Sequence, residues 1–358
     1  MTLQINREGE WPRVAIIILN WNGWRDTIEC LESLQRITYP NYQIIVVDNG
    51  STDDSIEKIK AWARGEIPVV SSFFESDLGT KPVQWLEYDR TTVEAGKFPD
   101  EEEKLIELPS NRCLVLFQTK ENMGFAGGNN VGIQFALRDQ AVQYIWLLNN
   151  DTVILADTLT CLVRESIRNP GLGILSPKIC YYSSPDRIWF AGGKLRLLRA
   201  TGYNLGIGMP NGGSYSGLAP CTFITGCAML IKREVVESIG LLDPLYFLYG
   251  EDVDFCWRAI KAGWDLATHL DSLVYHKVSS AVGSDPLPLQ TYYISRNRQY
   301  FSAKYHSSFQ RMVFKLFWIL SRAAKFCLWF MKGRIDLIKA TMQGYIDYKK
   351  GHMRISCN

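Results

Sequence analysis

Three apolar runs set the frame of this chain: Val14-Ala15-Ile16-Ile17-Ile18-Leu19-Asn20, Tyr42-Gln43-Ile44-Ile45-Val46-Val47-Asp48 and Tyr144-Ile145-Trp146-Leu147-Leu148-Asn149-Asn150-Asp151. Each is a short continuous hydrophobic segment that stops on amide or carboxylate side chains. Such runs predict parallel strands buried on both faces, and in open α/β sheets ligands bind beyond the carboxyl ends of those strands. Three polar strand ends are therefore expected to share one crevice. Cys113-Leu114-Val115-Leu116-Phe117 predicts another strand. Thr225-Gly226-Cys227-Ala228-Met229-Leu230 predicts one more, whose small residues suit either packing or the floor of a sugar pocket.

Helical spacing appears between these runs. The turn Asn49-Gly50-Ser51-Thr52-Asp53-Asp54 leads into a helix through Ile56, Ile59 and Trp62. The glycine-rich stretch Asn122-Met123-Gly124-Phe125-Ala126-Gly127-Gly128-Asn129-Asn130 opens a helix continuing through Ile133, Phe135 and Leu137. Glycines let backbone approach a ligand closely, and a helix N-terminus offers N–H groups to anions. Glu251 and Asp252 begin a helix carrying Val253, Phe255, Cys256 and Ile260, with Asp254 assigned a structural role. From about residue 76 to 112 the periodicity fails around prolines and Asp100-Glu101-Glu102-Glu103, which predicts a solvated acidic insertion. Its Trp85 and Tyr88 are the residues there with the means to touch an acceptor.

Two readings of Asp151 stand side by side. It caps a helix starting near Leu155, or it holds a divalent cation, Mg²⁺ or Mn²⁺, that in turn holds a diphosphate. Asp48 is placed to accept hydrogen bonds from a base or ribose. The chain has neither G-x-G-x-x-G nor G-x-x-x-x-G-K-[ST], so dehydrogenase and kinase readings lose their usual support.

Four motifs in order carry a resemblance: Val47-Asp48-Asn49-Gly50-Ser51, the stretch 122–130, Leu148-Asn149-Asn150-Asp151 and Gly250-Glu251-Asp252-Val253-Asp254. Together they resemble the family 2 glycosyltransferases of GT-A fold, especially rhamnosyltransferase-like members, over roughly residues 12 to 305. The resemblance implies that Asp48 contacts the nucleotide and that Asn149-Asn150-Asp151 stands where the family has its DxD motif. The leading Asp of that motif is absent here. It further implies that Asp151 binds the metal, that His276 completes the metal site, and that Asp252, paired with Glu251, is the catalytic base. Asn20, Asp48, Asn122, Gly124, Gly128, Asn129, Asn150 and Asp151 are the expected donor-binding set. A base within about 3 Å of an acceptor hydroxyl suffices for inverting transfer, because metal and helix N-termini stabilise the leaving diphosphate.

Composition adds limits. In 358 residues with 47% apolar content the nine cysteines form no C-x-x-C pair, which favours reduced thiols in the cytoplasm over disulfides or structural zinc. No signal peptide is evident at the N-terminus. The net charge of +2 hides a division: from Thr291 onward thirteen basic residues face two acidic ones, so that segment carries +11 and the remainder −9. Arg311, Lys315, Arg322, Lys325 and Lys332 fall within about a third of a helix circumference, beside apolar Met312, Phe314, Leu316, Trp318, Ile319 and Trp329. An interfacial helix on an anionic membrane surface is expected, the alternatives being packing on the catalytic domain or on a second copy as a homodimer. Arg296 and Arg298 are candidates for donor phosphates or for a lipid-facing basic surface. With no nucleic-acid module beside the stripe, nucleic acid is excluded as the partner.

The expected fold is α/β, GT-A-like (Rossmann-like), with a mainly parallel sheet, helices on both faces and a C-terminal helical basic tail. The expected boundaries are a catalytic domain over 1–290, with a nucleotide half over about 12–151 and an acceptor half over about 152–290, then a tail over 291–358. The expected reaction is single-sugar transfer, with rhamnose as the family flavour, from a dTDP- or UDP-sugar to a lipid-linked saccharide at the inner face of the cell membrane, in cell-surface polysaccharide biosynthesis. No Q-x-x-R-W motif argues for processive synthesis. Rival readings are a degenerate nucleotide-sugar-binding protein and a membrane-associated scaffold.

Overall fold

The computed structural model describes residues 11–89, 108–213, 215–278 and 286–353. The predicted apolar runs are the central strands. β1 (Arg13–Asn20), β2 (Tyr42–Asp48), β3 (Gln84–Asp89), β4 (Cys113–Gln118) and β5 (Val142–Asn149) run parallel, in the order β5-β1-β2-β4-β3. Beyond β5 the sheet changes character. The later strands are β6 (Thr152–Ile154), β7 (Leu172–Tyr181), β8 (Ser184–Phe190), β11 (Leu218–Cys221), β12 (Ala228–Lys232) and β13 (Asp265–His276). They extend the order through β12, β7 and β13 to β11, with β12 antiparallel to both β5 and β7. β9 (Gly193–Arg196) and β10 (Thr201–Asn204) form a separate hairpin.

Alternation along β1 shows why both faces are covered, since successive side chains of a strand point to opposite sides. Ile17 and Leu19 lie against Gly132 and Gly128 of α3 (Gly124–Ala136), whereas Asn20 meets Thr27 of α1 (Trp24–Leu34) on the other face. α2 (Ser55–Arg64) follows β2 as its spacing predicts, and α4 (Thr158–Arg168), α5 (Arg233–Ile239) and α6 (Glu251–Lys261) pack on β5, β7, β12 and β13.

Three expectations need correction. The segment 76–112 contributes the parallel edge strand β3, and Tyr88 is buried against Phe117 and Phe135, away from any acceptor. Residues 90–107, including the acidic run, lie outside the described residues. The boundary near 290 falls inside α7 (Pro288–Tyr305), a helix with buried Tyr293, Ser295, Arg296 and Asn297. Arg296 therefore meets neither phosphate nor lipid. Its guanidinium is held by the carbonyls of Leu245, Tyr246 and Met353. Arg298 donates to the carbonyl of Arg199. After α7 come α8 (Ser308–Met331) and α9 (Ile335–Lys350), the latter packed along α7.

Candidate active site

The three polar strand ends do meet. Asn20 pairs in register with Asp48, and Leu19 with Asn149, so the ends of β1, β2 and β5 lie side by side. A hydrogen-bonded chain then crosses them. Asp48 accepts from Asn20 Nδ2 at 2.8 Å, Asn20 Oδ1 accepts from Thr27 at 2.8 Å, and Thr27 Oγ1 accepts from Asn150 Nδ2 at 3.0 Å. Ser51 closes the far end, donating both its hydroxyl and its N–H to the Asp48 carboxylate. Thr27 and Ser51 are framework residues without any apolar-run signal. Asp48, only 3% exposed, has both oxygens engaged within the protein.

This chain fixes the turn that carries Asp151. β6 pairs antiparallel with β13, His276 opposite Thr152, and the N–H of Lys277 donates to the carbonyl of Asp151. The register brings His276 Nε2 to 3.1 Å from Asp151 Oδ1. Asp151 is no helix cap: α4 begins at Thr158, with Asp157 in the cap position. Burial opposes ionisation of Asp151, but the facing His276 outweighs it and holds the carboxylate below its usual range. Burial likewise disfavours the His276 imidazolium, and the adjoining Cys227 sulfur and Asp151 carboxylate reverse that and raise it. The 3.1 Å contact is an ion-pair distance without hydrogen-bond alignment, since Asp151 Oδ1 is buried with no hydrogen-bond partner; the other ring nitrogen, His276 Nδ1, is buried and unpartnered as well. Trp189, on β8, meets His276 in a T-shaped arrangement at 4.7 Å between ring centroids.

These two side chains fit a divalent cation of a particular kind. Mg²⁺ and Mn²⁺ sites use one or two carboxylates and take their remaining ligands from water and substrate phosphate. Among the described residues no group of three or more His, Cys, Asp or Glu side chains is arranged so that it could hold a metal ion. The orphaned carboxylate oxygen beside an imidazole thus suits a cation shared with a diphosphate, not one caged by protein alone.

Asp252 comes from a later part of the chain. It stands in the first turn of α6, its Oδ1 accepting from the N–H of Val253 at 2.8 Å and its Oδ2 from that of Gly226 at 3.4 Å. The next residue, Cys227, receives the N–H of Asn149 on its carbonyl at 2.8 Å. Asp252 is thereby tied through 226–227 to the end of β5 that precedes Asp151. Burial raises the Asp252 carboxyl to about 6 against the opposing N–H groups of Val253 and Gly226, and burial together with the Asp252 charge pushes buried Glu251 well above its usual value. Both carboxyls of the pair are thus held above the ordinary carboxylate range.

The loop before α6 is strained and clamped. Phe247 (φ 61°, ψ −63°) is the centre of a γ-turn closed by Leu248 N–H to Tyr246 O at 2.7 Å, a rare geometry for a bulky residue. Tyr249 also has positive φ. Asn297 Nδ2 donates to the carbonyls of Tyr246, Leu248 and Tyr249, at 2.9, 2.9 and 2.6 Å. Asp254, fully buried, accepts from Tyr246, Arg258, Lys304 and Tyr305 and so pins α6 to α7, in line with its expected structural role.

The glycine-rich helix start differs from expectation. Met123 N–H goes to Asn49 Oδ1, Gly124 N–H to Asn122 Oδ1, and Phe125 N–H to Phe247 O at 2.6 Å, so these donors are spent within the protein. A Cβ on Gly124, whose φ is +71°, would sit 2.3 Å from Phe247 O. Gly128 and Asn129 serve packing as well, the first against Leu19 and Asn49, the second donating to Phe125 O.

The sequence model described as "Glycosyltransferase like family 2" matches residues 102–302, more than half of the chain, and that described as "Glycosyl transferase family 2" matches residues 15–76. The chain belongs to glycosyltransferase family 2. Among curated relatives, family 2 resemblance extends to the low-salt glycan biosynthesis hexosyltransferase Agl10 of Haloferax volcanii, 30% identical over 138 residues, 38% of this chain and 43% of that one. Galactofuranosyltransferase GlfT1 of Mycobacterium tuberculosis is 26% identical over 169 residues, covering 45% and 51%. The N-acetylglucosaminyl-diphospho-decaprenol L-rhamnosyltransferase of the same species is 37% identical over 68 residues, covering 19% and 22%. The chain spans about half the length, or less, of these relatives. Among solved structures, the mannosyltransferase PcManGT from Pyrobaculum calidifontis in complex with GDP-Man and Mn²⁺ is 16% identical, covers 95% of this chain and 87% of its own, and gives a TM-score of 0.46. In sheet order and helix placement this family 2 chain has the GT-A-like α/β architecture expected of it.

Proposed function

We propose that this family 2 member is an inverting glycosyltransferase that moves one sugar from a nucleotide diphosphate donor to an acceptor hydroxyl. The observation that carries the reading is the union of two carboxylates from opposite halves: Asp151, paired with His276, and Asp252, fastened to the Gly226–Cys227 segment that holds the end of β5. In the proposed reaction Asp252 takes the proton of the acceptor hydroxyl. The acceptor oxygen bonds to the anomeric carbon while the bond from that carbon to the diphosphate oxygen breaks on the opposite face, its electron pair leaving with the nucleotide. Asp151 and His276 would hold a divalent cation, which when bound supplies positive charge to the diphosphate. Asp48, at the end of β2, serves the nucleoside, its carboxylate oriented by Asn20 and Ser51.

The relatives' names support a hexose donor and a place in glycan biosynthesis, and the rhamnosyltransferase named for a diphospho-decaprenol acceptor supports a lipid-linked saccharide here. Rhamnose is the first donor sugar to test, on a dTDP or UDP carrier, with the enzyme peripheral on the inner face of the membrane. Donor hydrolysis and transfer to a lipid-linked saccharide, measured over UDP, dTDP and GDP sugars with and without Mg²⁺ or Mn²⁺, test the proposal. Transfer by the intact chain and its loss in Asp252→Asn are expected. Donor binding with no turnover under any condition would instead establish a degenerate sugar-nucleotide binder.

A further inference from the structure

We infer that α8 docks on a lipid bilayer through its outward apolar face, inserted to the headgroup–acyl boundary, and not through its basic stripe. The helix is 24 residues long, and its two kinds of side chain are sorted by facing. At about 100° per residue, Arg311, Lys315, Arg322, Lys325 and Lys332 share the arc of Phe314 and Trp329, the two large apolar side chains that α8 buries against the protein. Arg322 is itself buried, and Arg311 donates to the carbonyls of Ala303 and His306. The opposite arc, about a third of the circumference, holds Phe309, Met312, Leu316, Ile319, Leu320 and Phe330 without one charged residue. Each is exposed, from 58% at Ile319 to 70% at Phe330.

A surface patch of this size and uniformity needs an occupant. Charge decides between a bilayer and a second copy. The only acids in the described part of the tail are Asp336, paired with Arg334, and Asp347, which accepts from Tyr292. Among the described residues, exposed Lys315, Lys332, Lys339, Lys349 and Lys350 form no ion pair with either of these acids, so the tail keeps a strong positive excess. Two copies meeting on this face would bring two strongly cationic tails together, whereas anionic headgroups around an inserted apolar face complement them. No helix among the described residues is long and apolar enough to cross a membrane, so α8 lies in the interface plane. Its inner side packs on the Leu197–Arg199 turn between β9 and β10, where Arg199 stands 4.8 Å over the Phe317 ring and Leu198 is half exposed.

The inference does not depend on the transferase reading and is tested without it. Flotation of the full chain with vesicles of phosphatidylcholine alone, and of phosphatidylcholine with phosphatidylglycerol, is measured at low and high salt. Binding to both vesicle types that survives high salt is expected, tighter with phosphatidylglycerol. Leu316→Glu/Leu320→Glu, and separately Phe330→Glu at the far end of the face, should each weaken vesicle binding at least tenfold, with an unchanged melting temperature confirming the fold. Lys315→Gln/Lys332→Gln should leave binding to phosphatidylcholine intact. Binding only to anionic vesicles and abolished by salt, equal binding by the Glu variants, or no vesicle binding beside a dimer that those variants dissociate would each overturn the inference.

Discussion

Asn297 donates its side-chain amide to the carbonyl of Tyr249 at 2.6 Å, across forty-eight residues of sequence, and so holds in place the last residue but one before the helix that presents Asp252. Asn297→Ala removes the side-chain donor from the carbonyls of Leu248 and Tyr249, while Tyr246 O keeps Arg296 and the Leu248 N–H, around a γ-turn that bulky residues avoid. We expect a loss of about 1–3 kcal/mol in stability by thermal or urea unfolding. Turnover should fall further than donor affinity, read as kcat against the donor Kd, because the base loses its position while the strand ends of β1 and β2 are untouched.

Asp252→Asn keeps the shape of the base and removes its proton affinity. A drop in transfer of the order of 10²–10⁴-fold is expected, with donor binding by calorimetry retained. Undiminished transfer in this variant would remove Asp252 from the reaction.

The pH profile follows from the same group. With its carboxyl raised to about 6, Asp252 in the proposed role of base would be ionised above that pH, and the rate of transfer should decline as pH falls through it. The stability consequence has the opposite sense. The native state binds the Asp252 proton more tightly than the unfolded chain, so this residue's contribution is full at low pH and is lost as pH rises from the ordinary carboxylate range through about 6. Asp252→Asn should therefore melt higher than the parent at pH 7.5, by a margin that shrinks toward pH 4.

Removal of Asp151 tests the cation. Asp151→Ala should weaken donor binding and flatten the response to Mn²⁺ in a titration monitored by donor affinity. His276→Ala should weaken the Mn²⁺ response in the same direction, because the neutral ring is the second side chain proposed to hold the cation beside Asp151. A metal response unchanged in both variants would contradict the assignment.

Gly124→Ala probes the junction of the two halves. The new methyl would meet Phe247 O at 2.3 Å in a backbone conformation that L residues rarely adopt. Destabilisation by more than about 1 kcal/mol is expected in equilibrium unfolding.

The central sheet was legible because buried parallel strands leave an unambiguous mark. The run from Tyr42 to Asp48 has the bounds of β2 itself, and the polar residues ending three runs do converge. Asp252 at a helix start was equally readable. What sequence could not show was the destination of side chains whose partners are far away. Arg296 looks like a phosphate ligand by charge, yet it is spent on backbone carbonyls fifty residues earlier. Glycines that suggest a ligand cradle are instead consumed by close packing of α3 on β1 and by the carbonyl of Phe247. The basic stripe was correctly placed on one side of α8, but periodicity gives only relative angles, and nothing in it says which side turns to the protein.

The bond from Phe125 N–H to Phe247 O has a bearing on how such enzymes diversify. It rivets the beginning of α3 to the loop before α6, so in this chain neither segment behaves as a free-standing cassette. A hybrid built by joining one parent's first 150 residues to another's remainder must preserve the glycine at 124 and the turn at 247 as a matched set, or its seam will open where the chemistry is meant to occur.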